Sequence, residues 1–258
     1  MIETFTLHLA DHILFLLLGI LLPWRTVGAQ KKLKDLSFTS RMRQSLYIGN
    51  SIGLWVMALI VLGLWWWLDR PFSSLGLQWT PSTGNLWSVG FVIAFLIIYV
   101  IDAVRDISTP KGRAQVEEKL SKELGILPRK FKSYLFFIPL AFSAGICEEI
   151  VFRGFFIGYF VSLFGTGIGS QILAVAIPAV IFGLVHTYQG IQAIYKIVGM
   201  AVIFGTIYVL TGSIYLLIIL HVVVDLIGGA VGLFFPEPEQ PDGPVEDWEY
   251  PNPTWEEE

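Results

Sequence analysis

Residues 213–235 read SIYLLIILHVVVDLIGGAVGLFF, and this stretch decides the fold class. Its apolar side chains lack the alternation of polar and apolar positions that a β-barrel strand shows. An α-helix rises about 1.5 Å per residue, so roughly 20 apolar residues cross the hydrocarbon core of a bilayer. The stretch therefore predicts a transmembrane helix, which carries His221 and Asp225 near its middle.

Six further segments have the same apolar character, which predicts an all-α, polytopic transmembrane helix bundle. The joins near Tyr188 and Gly212 leave room for one more crossing, so the prediction is seven or eight helices. The fourth segment is over-long, which indicates a tilted helix or one with an interfacial start. The six segments lie at about 9–27, 45–68, 87–104, 134–164, 168–188 and 191–211.

The composition excludes several other classes of protein. Charged residues make up 15% of the 258-residue chain, against about 25% in soluble domains, which excludes a soluble globular enzyme. Disordered chains are poor in aromatic residues, whereas this chain is 14% aromatic. A single cysteine, Cys147, excludes an internal disulfide framework. Membrane lipids are the expected surroundings, and no nucleic-acid partner is predicted.

Charge is distributed unevenly along the chain. Residues 236–258 contain nine of the 21 acidic residues and no Lys or Arg, which predicts a disordered, acidic, proline-rich tail. Of the 17 basic residues, 14 lie within 25–43 and 105–132. Connections rich in Lys and Arg stay in the cytoplasm. Because the first basic connection follows the first crossing, the N-terminus is expected outside. With seven crossings, the tail is then cytoplasmic.

Ionisable side chains are rare in the apolar segments and are therefore informative. Each costs roughly 2.5 kcal/mol or more in the middle of a membrane helix, so its presence indicates a partner or a function. They occur in three clusters: CEEIVFR at 147–153, FGLVH at 182–186 and HVVVD at 221–225.

The first cluster holds two adjacent acids and one base. Glu149 and Arg153 are four residues apart on one helix face, which predicts an ion pair inside the bundle. Glu148 is rotated by about 100° from Glu149 and has no cation on its own helix, so it needs a partner on another helix or a proton. Glu148 is therefore the candidate reactive group. The alternative is a purely structural network of three charges.

The other two clusters supply imidazoles. His186 lies near the end of its predicted helix and is either an interfacial residue or part of a site. His221 and Asp225 share a helix face, so the carboxylate can orient the imidazole or hold a polar group beside it. His8 and His12 have a spacing that suits a metal, but their place at the polar N-terminus favours a structural role.

Together the three clusters predict a hydrolase. A carboxylate and an imidazole can hold and deprotonate a water molecule. A second imidazole can donate a hydrogen bond to the oxyanion of a tetrahedral intermediate. Two histidines and a glutamate could also hold Zn²⁺ with an open position, which makes Zn²⁺ the one candidate cofactor. Neither the GxSxG nor the HExxH motif is present.

The three clusters resemble the motifs of the CPBP intramembrane proteases, also called the Abi family. This family includes the CAAX prenyl endopeptidases and bacteriocin-processing or immunity proteins. Its pattern is EExxxR, then FxxxH, then HxxxN or HxxxD, on successive late helices. The resemblance covers about residues 134–230, where the motifs read Glu148-Glu149-xxx-Arg153, Phe182-xxx-His186 and His221-xxx-Asp225.

The resemblance implies an intramembrane endopeptidase that cuts a membrane-anchored peptide or protein, such as a prenylated or precursor peptide. Glu148 would activate water with His186 as its partner, and His221 would support the oxyanion with the residue at 225. Glu149 and Arg153 would have supporting roles. The implied division is N-terminal helices and basic loops at 1–130, a CPBP-like catalytic core at 131–235, and the tail at 236–258.

One position departs from the CAAX-protease pattern, because Asp225 stands where Asn is usual. An ionised Asp cannot donate to an oxyanion, so either Asp225 is protonated or it orients His221. The family is also named as metalloproteases, although a metal-free mechanism fits equally well. Two other functions stay open: a non-catalytic immunity protein or scaffold with this fold, and a proton-coupled transporter. The expected location is a prokaryotic plasma membrane.

Overall fold

The computed structural model describes residues 2–33, 39–79, 83–122 and 125–236, and all regular secondary structure within them is helical. This confirms the predicted all-α fold. The predicted tail lies outside the described residues from 237 onward. The α-helices are α1 Leu9–Phe15, α2 Leu22–Leu33, α3 Ser40–Trp67, α4 Thr83–Ser108, α5 Pro110–Lys122, α6 Phe131–Glu148, α7 Gly158–Phe164, α8 Ile168–Val185, α9 Ile191–Thr211 and α10 Tyr215–Val231.

Seven helical stretches in the described residues are long and apolar enough to cross a membrane, as expected for a multi-pass membrane protein. The connections near Tyr188 and Gly212, where the sequence left room for an eighth crossing, contain only turns. Thr187–Gln189 is a single 3₁₀ turn, and Gly212 turns the chain between α9 and α10 with a φ of 68°. The seven spans are Leu9–Ala29, Ser40–Trp67, Leu86–Ser108, Phe131–Phe164, Ile168–Val185, Ala193–Thr211 and Tyr215–Phe234.

The over-long fourth segment is one span of 34 residues. It joins α6 to α7 through a π-helical segment, Glu149–Ile157, whose nine residues are all buried. A second π-helical segment, Leu16–Leu21, joins α1 to α2. π-Helical turns are rare and occur frequently at functional sites. In the fourth span, the π-helical segment begins at Glu149, the second acid of the cluster at 147–153.

The fourth span is the central helix of the bundle. α6 packs against α3 and α10, and the π-helical segment packs against α8. Gly145 allows the close approach of α6 to α10, because a Cβ there would meet Val222 Cγ2 at 2.4 Å. Further along the span, the Phe155 ring lies edge-on to Trp65, with ring centroids 6.0 Å apart. Such close packing, rather than exclusion of water, stabilises helix association in a bilayer.

A buried ion pair fixes the residues that precede α1. Arg70, just after α3, donates to both carboxylate oxygens of Asp11 at 2.7 Å and to the Thr6 carbonyl oxygen at 2.6 Å. Its guanidinium carbon also lies over the rings of Phe5 and Trp65, 4.6 and 4.8 Å from their centroids. The N-terminal segment is therefore tied to the end of the second span.

The two histidines of the N-terminal segment have separate partners. His8 precedes α1, and its backbone N–H donates to Asp11 Oδ2 at 2.7 Å. The His12 Nδ1 atom lies 2.7 Å from the Tyr159 hydroxyl, on the fourth span. The His12 imidazole thus contacts the fourth span, whereas the His8 contact is made by its backbone.

We expect the connection between α7 and α8 to lie outside the cell and the start of α5 to lie in the cytoplasm, because basic residues cluster around α5. The test places one cysteine at either of two exposed positions, Thr166→Cys or Lys111→Cys, in a chain whose buried Cys147 is replaced by Ala. A membrane-impermeant maleimide should label Thr166→Cys in intact cells and Lys111→Cys only after permeabilisation. The opposite labelling pattern would contradict the topology.

Candidate active site

The sequence-predicted site residues come from two spans, the fourth and the seventh, and from the turn that follows the fifth. All six lie in the interior of the bundle, around the middle of the fourth span. They are Glu148 at the end of α6, Glu149 and Arg153 in the π-helical segment, His186 directly after α8, and His221 and Asp225 in α10.

The Glu149 carboxylate links the fourth span to the seventh. Its Oε1 atom accepts a hydrogen bond from Arg153 Nη1 at 2.9 Å, which is the ion pair expected from the sequence. The same oxygen lies 2.8 Å from His221 Nδ1. Because an ionised carboxylate only accepts, Nδ1 carries the hydrogen and His221 Nε2 points away from Glu149. Glu149 therefore fixes both the cation and the orientation of the imidazole.

Arg153 is held by aromatic rings as well as by its ion pair. Its guanidinium carbon lies 5.1 Å from the ring centroids of Phe182 on α8 and Phe204 on α9. The side chain is 3% exposed. Cation–π contacts are strongest where the cation has lost its water, so these rings compensate part of the cost of burying the guanidinium. The cation thus connects the fourth, fifth and sixth spans.

Two further carboxylates face the other nitrogen of the same imidazole. His221 Nε2 lies 3.7 Å from Glu148 Oε2 and 3.8 Å from Asp225 Oδ2. Both distances exceed that of a hydrogen bond. Glu148 Oε2 is buried and has no hydrogen-bond partner among the described residues. The side chain of Asp225 is 31% exposed and that of Glu148 14%, against 0% for Glu149, so the site opens on the Nε2 side.

His186 lies beside this group without bonding to it directly. Its Nδ1 is 2.7 Å from the Phe182 carbonyl oxygen, which can only accept, so Nδ1 carries the hydrogen and Nε2 is the basic atom of the neutral ring. The Phe182 ring lies 4.5 Å from the His186 ring and 6.4 Å from the His221 ring. His186 is also within electrostatic range of His221 and Asp225. Phe182 thus lies close to both imidazoles.

The sequence offered Asp225 as one carboxylate that could orient His221, and the structure adds a second carboxylate, Glu149, at Nδ1. Asp225 shares the helix face of His221, but His221 Nδ1–H donates to Glu149, which lies on another span. This contact spans 72 residues of sequence, so no local spacing signals it. For the same reason, the sequence did not indicate that Phe204 contacts Arg153. The other ring against Arg153, that of Phe182, belongs to the second motif. Asp225 is left on the open side of the ring, near Nε2.

The described residues do not fit the predicted Zn²⁺ site. Structural and catalytic zinc sites take at least three protein ligands that converge on one point. No group of three or more His, Cys, Asp or Glu side chains in this part of the chain is arranged to hold a metal ion. The description as a metalloprotease is therefore not supported by the donor geometry.

Comparison with known families matches the same part of the chain. The model of a family described as "Type II CAAX prenyl endopeptidase Rce1-like" matches residues 130–227. This match confirms the resemblance read from the three motifs, and it supports a CAAX-type intramembrane protease at the level of the family. The comparisons with curated proteins and with solved structures found no match.

We expect Arg153→Ala to lower the amount of folded protein, because it leaves the buried Glu149 carboxylate without its cation. Breaking one partner of a buried pair costs about 3–5 kcal/mol. Glu149→Gln should also destabilise, since it removes the charge that compensates Arg153. The measurements are the monodisperse yield in detergent and the Tm. Arg105→Ala, at an exposed position near the end of α4, is the matched control. Unchanged Tm values for both Arg153→Ala and Glu149→Gln would contradict the pairing.

Proposed function

Because residues 130–227 match the Rce1-like family, we propose that this protein is an intramembrane endopeptidase that hydrolyses a peptide bond in a membrane-anchored peptide or protein. The family suggests a peptide that ends in a prenylated CAAX sequence as the first substrate to test. The reaction takes place between the fourth and seventh spans. A prokaryotic plasma membrane is the proposed location.

One observation carries the proposal: a candidate base and a candidate hydrogen-bond donor face each other from two spans. Glu148 Oε2 and His221 Nε2 are 3.7 Å apart. This separation is too long for a direct hydrogen bond, but it suits a tetrahedral intermediate that lies between the two side chains. The oxygen that comes from water can then contact Glu148, and the oxyanion can contact His221. Glu148 Oε2 is also buried without a partner among the described residues, so it can accept a proton from water.

In the proposed reaction, Glu148 takes a proton from a water molecule while the water oxygen bonds to the peptide carbonyl carbon. The π electrons of the carbonyl move to its oxygen and form an oxyanion. His221 is doubly protonated: Nδ1–H donates to Glu149, and Nε2–H donates to the oxyanion. Glu148 then gives its proton to the leaving nitrogen as the C–N bond breaks. No step requires a metal ion.

His186 has a supporting role in this reaction. The Phe182 carbonyl holds its Nδ1 hydrogen, so the lone pair of Nε2 can accept the second hydrogen of the attacking water. A water held by both Glu148 and His186 would present one lone pair to the substrate. Orientation of this kind lowers the barrier because it is established before the reaction begins.

The substrate would reach the site from the cytoplasmic half of the membrane. The Asp225 side chain is the most exposed of the three carboxylates around His221. Asp225 lies one helical turn beyond His221, and in the expected topology α10 runs from the outside to the cytoplasm. The open side of the imidazole therefore faces the cytoplasmic half of the bundle, where a lipid-anchored peptide can approach.

We expect Glu148→Gln to abolish cleavage while the protein stays folded, because the amide keeps the volume but cannot take a proton. The rate should fall by at least the 10²–10⁴-fold that is typical for loss of an acid–base group. The assay uses the purified protein in liposomes with a fluorescent farnesylated CAAX peptide, with and without EDTA. Glu117→Gln, on the exposed face of α5, is the matched control.

Several outcomes would contradict the proposed function. A wild-type rate for Glu148→Gln would overturn the role of Glu148 as the base. Loss of wild-type cleavage with EDTA, restored by Zn²⁺, would overturn the metal-free mechanism. A folded wild-type protein that cleaves no anchored peptide would favour the non-catalytic scaffold. Proton uptake into liposomes in the presence of a solute gradient would instead favour the transporter.

We expect Asp225→Asn to preserve or increase cleavage. Glu149 already orients His221, so the exchange does not disturb the ring, and the amide adds an N–H donor that an ionised carboxylate lacks. The measurement is kcat as a function of pH for both proteins. A large loss of kcat in Asp225→Asn would show instead that His221 needs the charge of Asp225.

A further inference from the structure

The last described residues of the chain are held by two arginines. Arg113 on α5 donates to the Phe234 carbonyl oxygen at 3.2 Å, and its guanidinium carbon lies 4.9 Å from the centroid of the Phe235 ring. Arg129, which precedes α6, donates to the Pro236 carbonyl oxygen at 2.7 Å. The Phe235 side chain is buried, whereas Pro236 is exposed. The end of the seventh span is therefore fixed against the connection between the third span and the fourth.

The two arginines belong to a stretch with an excess of positive charge. Residues 105–132 contain eight Lys and Arg against four Asp and Glu. Lys111 and Lys119 are exposed on one side of α5, with the exposed Gln115 midway between them at four-residue spacing. Cationic side chains of α5 thus lie close to the point where the chain continues into residue 237. The basic surface is defined as Lys111, Arg113, Lys119 and Arg129.

The chain that follows has the opposite charge and sufficient length. Residues 237–258 contain nine Asp and Glu and no Lys or Arg. A flexible chain of 22 residues has an end-to-end distance of about 25 Å. The 13 residues of α5 form a helix about 20 Å long. From a start beside Arg113 and Arg129, residues 237–258 can therefore reach any part of α5.

Covalent attachment favours this segment over other anions. A tethered segment meets its binding surface at an effective concentration in roughly the millimolar range. The competing anions are the headgroups of acidic lipids, which attract basic segments at the membrane surface. Lipid headgroups lie outside the protein, whereas the guanidinium groups of Arg113 and Arg129 already bind the main chain directly before residue 237.

We propose that residues 237–258 dock on the basic surface by charge pairing, so that the chain folds back beside its own last helix. Docking does not depend on the proposed peptidase activity. Pairing between exposed charges is weakened by salt, so the segment is released as the ionic strength rises. Because Arg113 and Arg129 bind the residues that follow α10, docking also restrains the end of the helix that carries His221 and Asp225.

The test measures the proximity of two introduced cysteines in the full chain. Thr254→Cys is combined with Gln115→Cys on α5, and the buried Cys147 is replaced by Ala. A short bismaleimide should cross-link this pair in phosphatidylcholine nanodiscs at low salt. The matched control pairs Thr254→Cys with Ile191→Cys, an exposed position at the same end of the bundle, because successive spans run in opposite directions. Equal yields for the two pairs would overturn the proposal.

Charge variants separate pairing from chance approach. Lys111→Gln with Lys119→Gln should lower the yield of the Gln115→Cys pair to that of the Ile191→Cys pair. The matched control, Lys31→Gln with Lys32→Gln, removes the same charge from the other basic stretch and should leave the yield unchanged. Equal Tm values establish that both variants are folded. An equal loss in both double variants, or no loss in either, would overturn docking on α5.

Salt and lipid provide the remaining tests. The yield should fall on going from about 0.1 M to about 1 M salt, because the Debye length shortens from about 10 Å to about 3 Å. A yield that does not respond to salt would overturn charge pairing. In nanodiscs that contain phosphatidylglycerol, the cross-link should persist. Its loss there would overturn docking in a charged membrane and assign the basic surface to lipid headgroups.

Discussion

The candidate site depends on one buried carboxylate that serves two partners. Glu149 is fully buried, and its Oε1 atom contacts both Arg153 on its own span and His221 on the seventh. A charge in this environment costs several kcal/mol unless it is paired and hydrogen-bonded. The pairing therefore constrains the separation of two spans, the position of the guanidinium between two phenylalanine rings, and the direction in which the second imidazole nitrogen points.

The two adjacent acids, Glu148 and Glu149, face different nitrogens of the His221 imidazole, which lie on opposite edges of its ring. Glu149 contacts Nδ1, and Glu148 approaches Nε2. The change from α-helix to π-helix falls between these two residues. One carboxylate is closed off completely and the other faces the opening. In the proposed reaction, consecutive positions of one helix would thereby supply a structural acid and a reactive acid.

The fold and the composition of the site could be predicted from the sequence because both depend on local signals. Long apolar segments give the spans, and the spacing of Glu149 and Arg153 gives their ion pair. The bond between Glu149 and His221 could not be predicted, because it depends on how two distant helices pack. Helix spacing instead favoured Asp225, the local neighbour of His221.

The surplus of acids around His221 has a consequence for what happens after a bond is cut. The structure gathers three carboxyl groups around His221, and Arg153 contacts Glu149, the carboxylate that is fully buried. The proposed hydrolysis of a peptide bond would create a new carboxylate at this place. Like charges in a medium of low dielectric repel strongly, so the acyl product of the proposed reaction would be released from the site rather than retained. The same repulsion would weaken inhibition by the product, while the equilibrium of hydrolysis stays unchanged.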